Sequence, residues 1–303
     1  MSDAGADSMT TGAVARVLQA GCTLGEGPVW DAARECLWFT DIKSHRIHSF
    51  EPLTGRHESF PVHDQVGWVL PAKGGQLLAG MRDGLYLFDP ATGRSVKVAQ
   101  VPGEPAGNRL NDACVDGKGR VFFGSMDDGE EGPVGRFYRA HRREVVPQGP
   151  DAVCITNGPT VAPDGSRIYF TDTLAKTIMV AELSPEGEVG EARVFADTAS
   201  DFPDAYPDGP VCDAQGCVWT GLWNGWGVAR YSADGKLLSK VHLPVGNVTK
   251  LAFGEPDLKR AFVTTARKGL DEAALAAQPM AGDLFAFDVE VPGVASALAE
   301  FWA

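Results

Sequence analysis

The 303-residue sequence contains no apolar run long enough to cross a membrane as a helix. No basic segment followed by an apolar one opens it: Met1 to about Ala15 is small, polar and slightly acidic. Residues 1–15 therefore read as a disordered leader and not as a secretory signal. Residues 16–303 show no linker or shift in composition and read as one domain. Surplus positive charge is missing too. The formal net charge is −13, which argues against nucleic acid or an anionic membrane as partner. Six cysteines occur, but none forms a C-x-x-C pair, and Cys212 and Cys217 are too widely spaced for a zinc knuckle. They read as reduced, small buried hydrophobes of a soluble cytoplasmic protein. The G-x-S-x-G elbow, the H-E-x-x-H zinc helix and the P-loop are all absent. Histidine is scarce. His45, His48, His57, His141 and His242 are expected at the surface, while His63 stands near a loop that could face the middle of the molecule. Helical periodicity is confined to Leu270 to Ala277.

What is present is β-periodicity, repeated. Leu37-Trp38-Phe39-Thr40-Asp41 leads to the alternating run Arg46-Ile47-His48-Ser49-Phe50 and a turn at Glu51 to Gly55. Comparable pairs begin at Gln76, Val121, Ile168, Val218 and Ala261, about 40–50 residues apart, which is the period of a four-stranded propeller blade. Gly and Pro are plentiful, as short strands joined by tight turns require. The expected fold is all-β, a six-bladed β-propeller with a central metal site. A strand near Ala15-Arg16-Val17-Leu18 is expected to complete the last blade. The WD signature is missing.

Four short stretches punctuate the repeats: Glu26-Gly27-Pro28, Asn111-Asp112-Ala113, Asn157-Gly158-Pro159 and Asp208-Gly209-Pro210. Each starts with a carboxylate or amide and precedes the first apolar run of its copy, which is expected to lie nearest the axis. The four polar residues would then ring one mouth of the channel, with Gln65 to Trp68 and Asn247 to Lys250 at the corresponding places of the other two blades. Gly-Pro fixes the local backbone and leaves no bulky neighbour. Converging carboxylate and amide oxygens suit a hard cation, calcium, magnesium or manganese before zinc, although zinc and iron(II) also accept oxygen. The same residue types also cap turns, and a metal could merely plug the channel. Recurrence at one register favours a site. Asp127, Asp128, Glu130 and Glu131 read as a solvated loop that could overhang the channel. Trp223 and Trp226 read as blade packing, or as a wall for stacking a sugar.

These residues carry a family resemblance. Leu24-Gly25-Glu26-Gly27-Pro28-Val29-Trp30, Arg109-Leu110-Asn111-Asp112, Ile155-Thr156-Asn157-Gly158 with Ala162-Pro163-Asp164-Gly165, and Pro207-Asp208-Gly209 with Asp213 and Gly216 resemble, in order, motifs of the SMP-30/gluconolactonase/regucalcin-like family of six-bladed lactonases. The resemblance runs from about Leu24 to Phe287. It implies one divalent metal ion (Fe2+, Ca2+, Zn2+ or Mn2+) on Glu26, Asn157 and Asp208, with Asp208 also the catalytic proton acceptor. It further implies that Arg109 and Asn111 bind substrate. Some relatives place a substrate-binding Glu after G-[ST]-M; here Asp127, Asp128, Glu130 and Glu131 all stand nearby, and none matches unambiguously.

The stretches Ile155 to Pro159, Thr171 to Ile178 and Thr264 to Leu270 resemble the sugar-acid lactonases of oxidative pentose catabolism, xylonolactonase in particular. The implied reaction is metal-dependent hydrolysis of a sugar lactone to the aldonic acid, with D-xylonolactone favoured and arabinono- or gluconolactone as other substrates. The protein is expected to act as a monomer. Two other readings use the same architecture: a phosphotriesterase-like hydrolase, and a non-enzymatic propeller that binds a metal or a partner.

Overall fold

Each inner strand of this protein carries one irregularity at the same place, and that irregularity builds the site. The structure is a computed structural model that describes residues 13–301, so residues 1–12 of the expected leader lie outside the described residues. Among the described residues the strands form six antiparallel sheets of four, arranged as a six-bladed β-propeller. The innermost strands are Gly25–Asp31, Val66–Pro71, Asn108–Val115, Thr156–Val161, Tyr206–Cys212 and Val248–Gly254, each packed on the next around the axis. In the last blade the order runs Val248–Gly254, Arg260–Thr265, Leu284–Asp288 and, outermost, the N-terminal strand Ala15–Leu18. Ala15 pairs with Ala286 there, so the two ends of the chain close the ring in one sheet.

The apolar runs expected nearest the axis are in fact the second strands: Cys36–Asp41, for example, lies between Gly25–Asp31 and Arg46–Glu51. The polar Gly-Pro stretches are themselves the innermost strands. Their β-character is hidden in sequence because a bulge interrupts the alternation. Register shifts fall between Glu26 and Val29, Val66 and Trp68, Leu110 and Ala113, Asn157 and Thr160, Pro207 and Pro210, and Val248 and Leu251. A bulge re-aims the side chain beside it and frees backbone groups from the ladder. Threonines on neighbouring strands meet some of those groups. Thr40 Oγ1 donates to the Glu26 carbonyl at 3.3 Å and Thr220 Oγ1 to the Asp208 carbonyl at 3.1 Å. Gly27 and Gly158 adopt φ of +54° and +76°, a region that β-carbons disfavour.

Blades pack on one another through large buried side chains. Trp68 meets Phe123 at 5.6 Å between centroids, Phe137 meets Phe170 at 4.6 Å, and Trp219 meets Phe253 at 6.0 Å. Trp30 stacks on Phe262 across the seam between first and last blades. Each such pair adds about 0.5–1.5 kcal/mol beyond area burial. The six cysteines are free.

His48 is not at the surface. It is buried against Phe39, with its Nδ1 2.9 Å from Nε2 of His57. It sits in a third strand covered on both faces, and burial, then His57, pushes its pKa down to about 4. The helical stretch is a single helix, Glu272–Ala277, inserted in the last blade and capped by Asp271, which accepts from the Ala274 N–H. No helix of the described residues is long and apolar enough to cross a membrane.

Candidate functional site

At one end of the channel, bulged inner strands from blades 1, 3, 4 and 5 bring Glu26, Arg109, Asn111, Asn157 and Asp208 into one cavity of about 290 Å³. All five are buried. Blades 2 and 6 do not contribute their corresponding polar residues. Gln65 donates from Nε2 to Asp128 Oδ2, and Asn247 donates to the Lys268 carbonyl.

A chain of hydrogen bonds fixes which atom of each amide faces which way. Arg109 Nη1 donates to Asn111 Oδ1, and Asn111 Nδ2 donates to Asn157 Oδ1 at 2.9 Å. Asn157 Nδ2 donates to Thr173 Oγ1 at 2.9 Å, and that hydroxyl donates to the Pro207 carbonyl at 2.9 Å. Arg109, Asn111, Asn157 and the segment leading to Asp208 are thus one network across three blades. Networks of this kind hold a site in one geometry.

The two carboxylates are held differently. Glu26 Oε2 accepts from the Gly27 N–H at 3.0 Å. Asp208 Oδ1 is fully buried and has no hydrogen-bond partner. Unpaired buried polar atoms are rare and costly, and one on a carboxylate calls for a cation or a proton. The strain shows as raised pKa values. Burial, then the charge of Asp112, lifts Glu26 to about 7. Burial, then Glu26 and Asp112, holds the Asp208 carboxyl well above the usual carboxylate range. Among the described residues no three side chains of His, Cys, Asp or Glu gather as a metal group. Of the three carboxylates that line the cavity, Glu130 is paired with Lys268, which leaves Glu26 and Asp208 beside the amide oxygens of Asn111 and Asn157.

The acidic loop after Met126 divides into separate roles. Asp127 caps its own turn, accepting from the Gly129 and Glu131 N–H groups. Asp128 lies behind the cavity wall and accepts from Lys43, Gln65, Arg82 and, at 3.0 Å, Arg109 Nε. Its cationic and amide donors hold its pKa down at about 2 against the opposing effect of burial. Glu130 alone of the four lines the cavity, paired with Lys268 from blade 6.

The opposite wall is apolar, formed by Leu24, Ile155, Leu174, Tyr206 and Trp223. Trp226, by contrast, is partly exposed outside it, stacked on His242. His63 packs on Tyr86 and is absent from the cavity lining. Sequence reasoning missed Thr173 and Lys268, which stand in loops, and Tyr206, which opens the innermost strand of its blade; none of them belongs to a recurring pattern. It also passed over the role of Lys250, whose ammonium lies 2.5 Å from Asp112 Oδ1 on the channel axis.

Comparison with known proteins gives a consistent result. Residues 24–267 match the profile of the SMP-30/Gluconolactonase/LRE-like region. Pentonolactonase XacC of Haloferax volcanii is 34% identical over 286 residues, covering 92% of this chain and 96% of the relative. The L-arabinolactonase of Azospirillum brasilense is 34% identical over 284 residues, covering 91% of each. Among solved structures, the calcium-binding protein regucalcin of Agrobacterium tumefaciens superposes with a TM-score of 0.89 at 30% identity, over 93% of this chain and 96% of that one.

Proposed function

The chain belongs to the SMP-30/gluconolactonase/LRE-like family, and from that premise we propose that its channel mouth is the active site of a metal-dependent sugar lactonase. Five-carbon lactones, D-xylonolactone among them, are the preferred substrates in this reading; the pentonolactonase and arabinolactonase relatives support that choice. The observation that carries the reading is the buried, unpartnered Asp208 Oδ1 in a cavity that also holds Glu26, Asn157, Arg109 and Asn111.

The donor set fits a divalent ion. Two buried carboxylates with raised pKa values, one of them with an orphaned oxygen, are relieved by a shared cation. Glu26, Asn157 and Asp208 would hold it. When bound, such an ion polarises the lactone carbonyl and makes nearby water more acidic.

The protein's own groups do the rest. Arg109, braced from behind by Asp128, and Asn111, held through the Asn157 and Thr173 relay, orient the lactone's oxygens. Asp208 accepts a proton as water adds to the carbonyl carbon. The bond between the former carbonyl carbon and the ring oxygen then breaks, Asp208 returns its proton to that oxygen, and the hydroxy acid leaves and ionises to the aldonate in water. The apolar wall of Tyr206 and Trp223 offers aromatic faces to the C–H side of the sugar ring, and Lys268 and Glu130 face the mouth with polar groups. Hydroxyl-reading groups discriminate among sugars better than wall size does.

The test is lactone hydrolysis by chelator-stripped protein with Ca2+, Mn2+, Zn2+ or Fe2+ restored singly, on xylono-, arabinono- and gluconolactone. The expected result is activity that depends on the added ion and is greatest on a five-carbon lactone. Full activity without any ion would overturn the metal-dependent reading.

A further inference from the structure

Directly below the mouth lies a second set of charges that the reaction does not use. Asp112 is fully buried. Its Oδ1 accepts from Lys250 Nζ at 2.5 Å and from the Ala113 N–H at 2.7 Å, and its Oδ2 from the Gly158 N–H at 2.7 Å. Lys250 is buried too, and also donates to the Ala113 carbonyl at 3.3 Å. The pair is wedged between two of the site-building stretches. Gly158 follows Asn157, and a β-carbon on Gly209, which follows Asp208, would stand 2.6 Å from Lys250 Cδ and 2.9 Å from Asp112 Oδ2. Lys250 also lines the cavity on the lower side, where Val294, Ala295 and Ser296 close the channel.

Charge is the informative quantity. Glu26, Asp112 and Asp208 are three buried carboxylates on one axis, and the Asp112 charge is felt by both of the others. Yet they do not gather as a three-carboxylate metal group, since Asp112 is turned onto Lys250 and two backbone N–H groups. Lys250 is the buried ammonium paired with Asp112, while Arg109 sits beside Asp128, which it shares with Lys43 and Arg82. With Asp112 matched by Lys250, the carboxylates of Glu26 and Asp208 are the ones left to face a divalent ion.

We propose that the Lys250–Asp112 pair is an insulating floor that withholds a third carboxylate from the ion and confines the ion to the mouth, beside Arg109 and Asn111. This rests on the reading of the mouth as a metal-dependent lactonase site. Lys250 is then a positioning residue. Its removal frees Asp112 to add charge to the site, which tightens ion binding while drawing the ion away from where substrate is held. A merely structural role would weaken binding.

The experiment uses the full chain, with Ca2+ alone as the calorimetric probe, kcat on D-xylonolactone and thermal unfolding as a check on folding. In Lys250→Met the Ca2+ dissociation constant is expected to fall by about fivefold or more, since ligand charge count sets affinity. Its kcat is expected to fall by about tenfold or more, as displacement at a reacting centre does. In the double variant Asp112→Asn/Lys250→Met the amide oxygen still accepts from Gly158 and the added charge is gone. Both quantities are expected to return to within about threefold of the parent. Unchanged or weaker Ca2+ binding in the single variant, or a double variant no better than the single, overturns the floor. A parent protein that binds no ion at all overturns instead the metal reading on which it stands.

Discussion

The two ends of the channel present the same residue types in opposite states. At the mouth, Asp208 has a buried oxygen without a partner, and Glu26 has one backbone N–H. At the far end, where inner strands turn into second strands, Asp31, Asp116 and Asp213, which follow three of the four stretches, are saturated. Asp213 accepts from the Gln215 and Cys217 N–H groups, Trp219 Nε1 at 3.0 Å and Arg230 Nε at 2.8 Å. Asp31 accepts from Ala33, Arg34 and Trp38, and Asp116 from Lys118 and Arg120. Both sets recur in register, so recurrence alone does not separate a site from a scaffold. Satisfaction does: a repeated carboxylate with every lone pair used holds the fold, and one left open is kept for something else.

The sharpest way to break this contrast is to neutralise one member of each ring. Asp208→Asn is expected to lower kcat on D-xylonolactone by about 10³-fold or more, since under the proposed function it removes a proton acceptor and a ligand charge together. Metal-free thermal stability should hold or rise, because a carboxylate repelled by Glu26 and Asp112 has been removed. Most activity surviving in that variant would sink the assignment. Asp213→Ala should do the reverse: a loss of about 3–5 kcal/mol in denaturant unfolding, because it leaves Arg230 buried and unpaired. Turnover per folded molecule should be little changed.

A pH series distinguishes the ends without mutation. Glu26 in the folded, metal-free chain has a pKa of about 7 against an ordinary 4.5. The folded state therefore holds a proton that the unfolded state gives up, and metal-free stability declines as pH rises from about 4.5 to 7 through this group. An ion needs Glu26 ionised, so the gain in melting temperature on adding Ca2+ should grow over the same window. A gain independent of pH would contradict the reading. The smallest effect is expected at Asp164, an exposed turn aspartate that bonds only Ser166. Asp164→Ala should cost about 0.5 kcal/mol in unfolding and leave kcat unaltered.

Much of this was legible in the sequence, for a physical reason. Second and third strands are covered on both sides and spell themselves out in runs such as Ile168-Tyr169-Phe170, so blade number and spacing are readable. The innermost strands were misplaced because their bulges break the period of two. Glu26, Asn157 and Asp208 were found by their shared Gly-Pro grammar, which is the bulge itself written in residues. Lys250 carries no such mark, since its meaning depends on Asp112, 138 positions away in sequence. Asp128 and Glu130 were inseparable on paper, because one residue of loop geometry decides that the first braces Arg109 and the second faces the cavity.

The closing sheet gives the molecule an order in time. Ala15–Leu18 is made long before Leu284–Asp288, the strand it pairs with. Until the last blade is made, blade 1 has no neighbour on one side, and Trp30 waits for Phe262. Glu26, from the blade at that open seam, takes its fixed place opposite Asp208 only when the ring shuts. A nascent chain thus carries every chemical group of the site long before it has the site, and catalytic competence marks the moment the circle is complete.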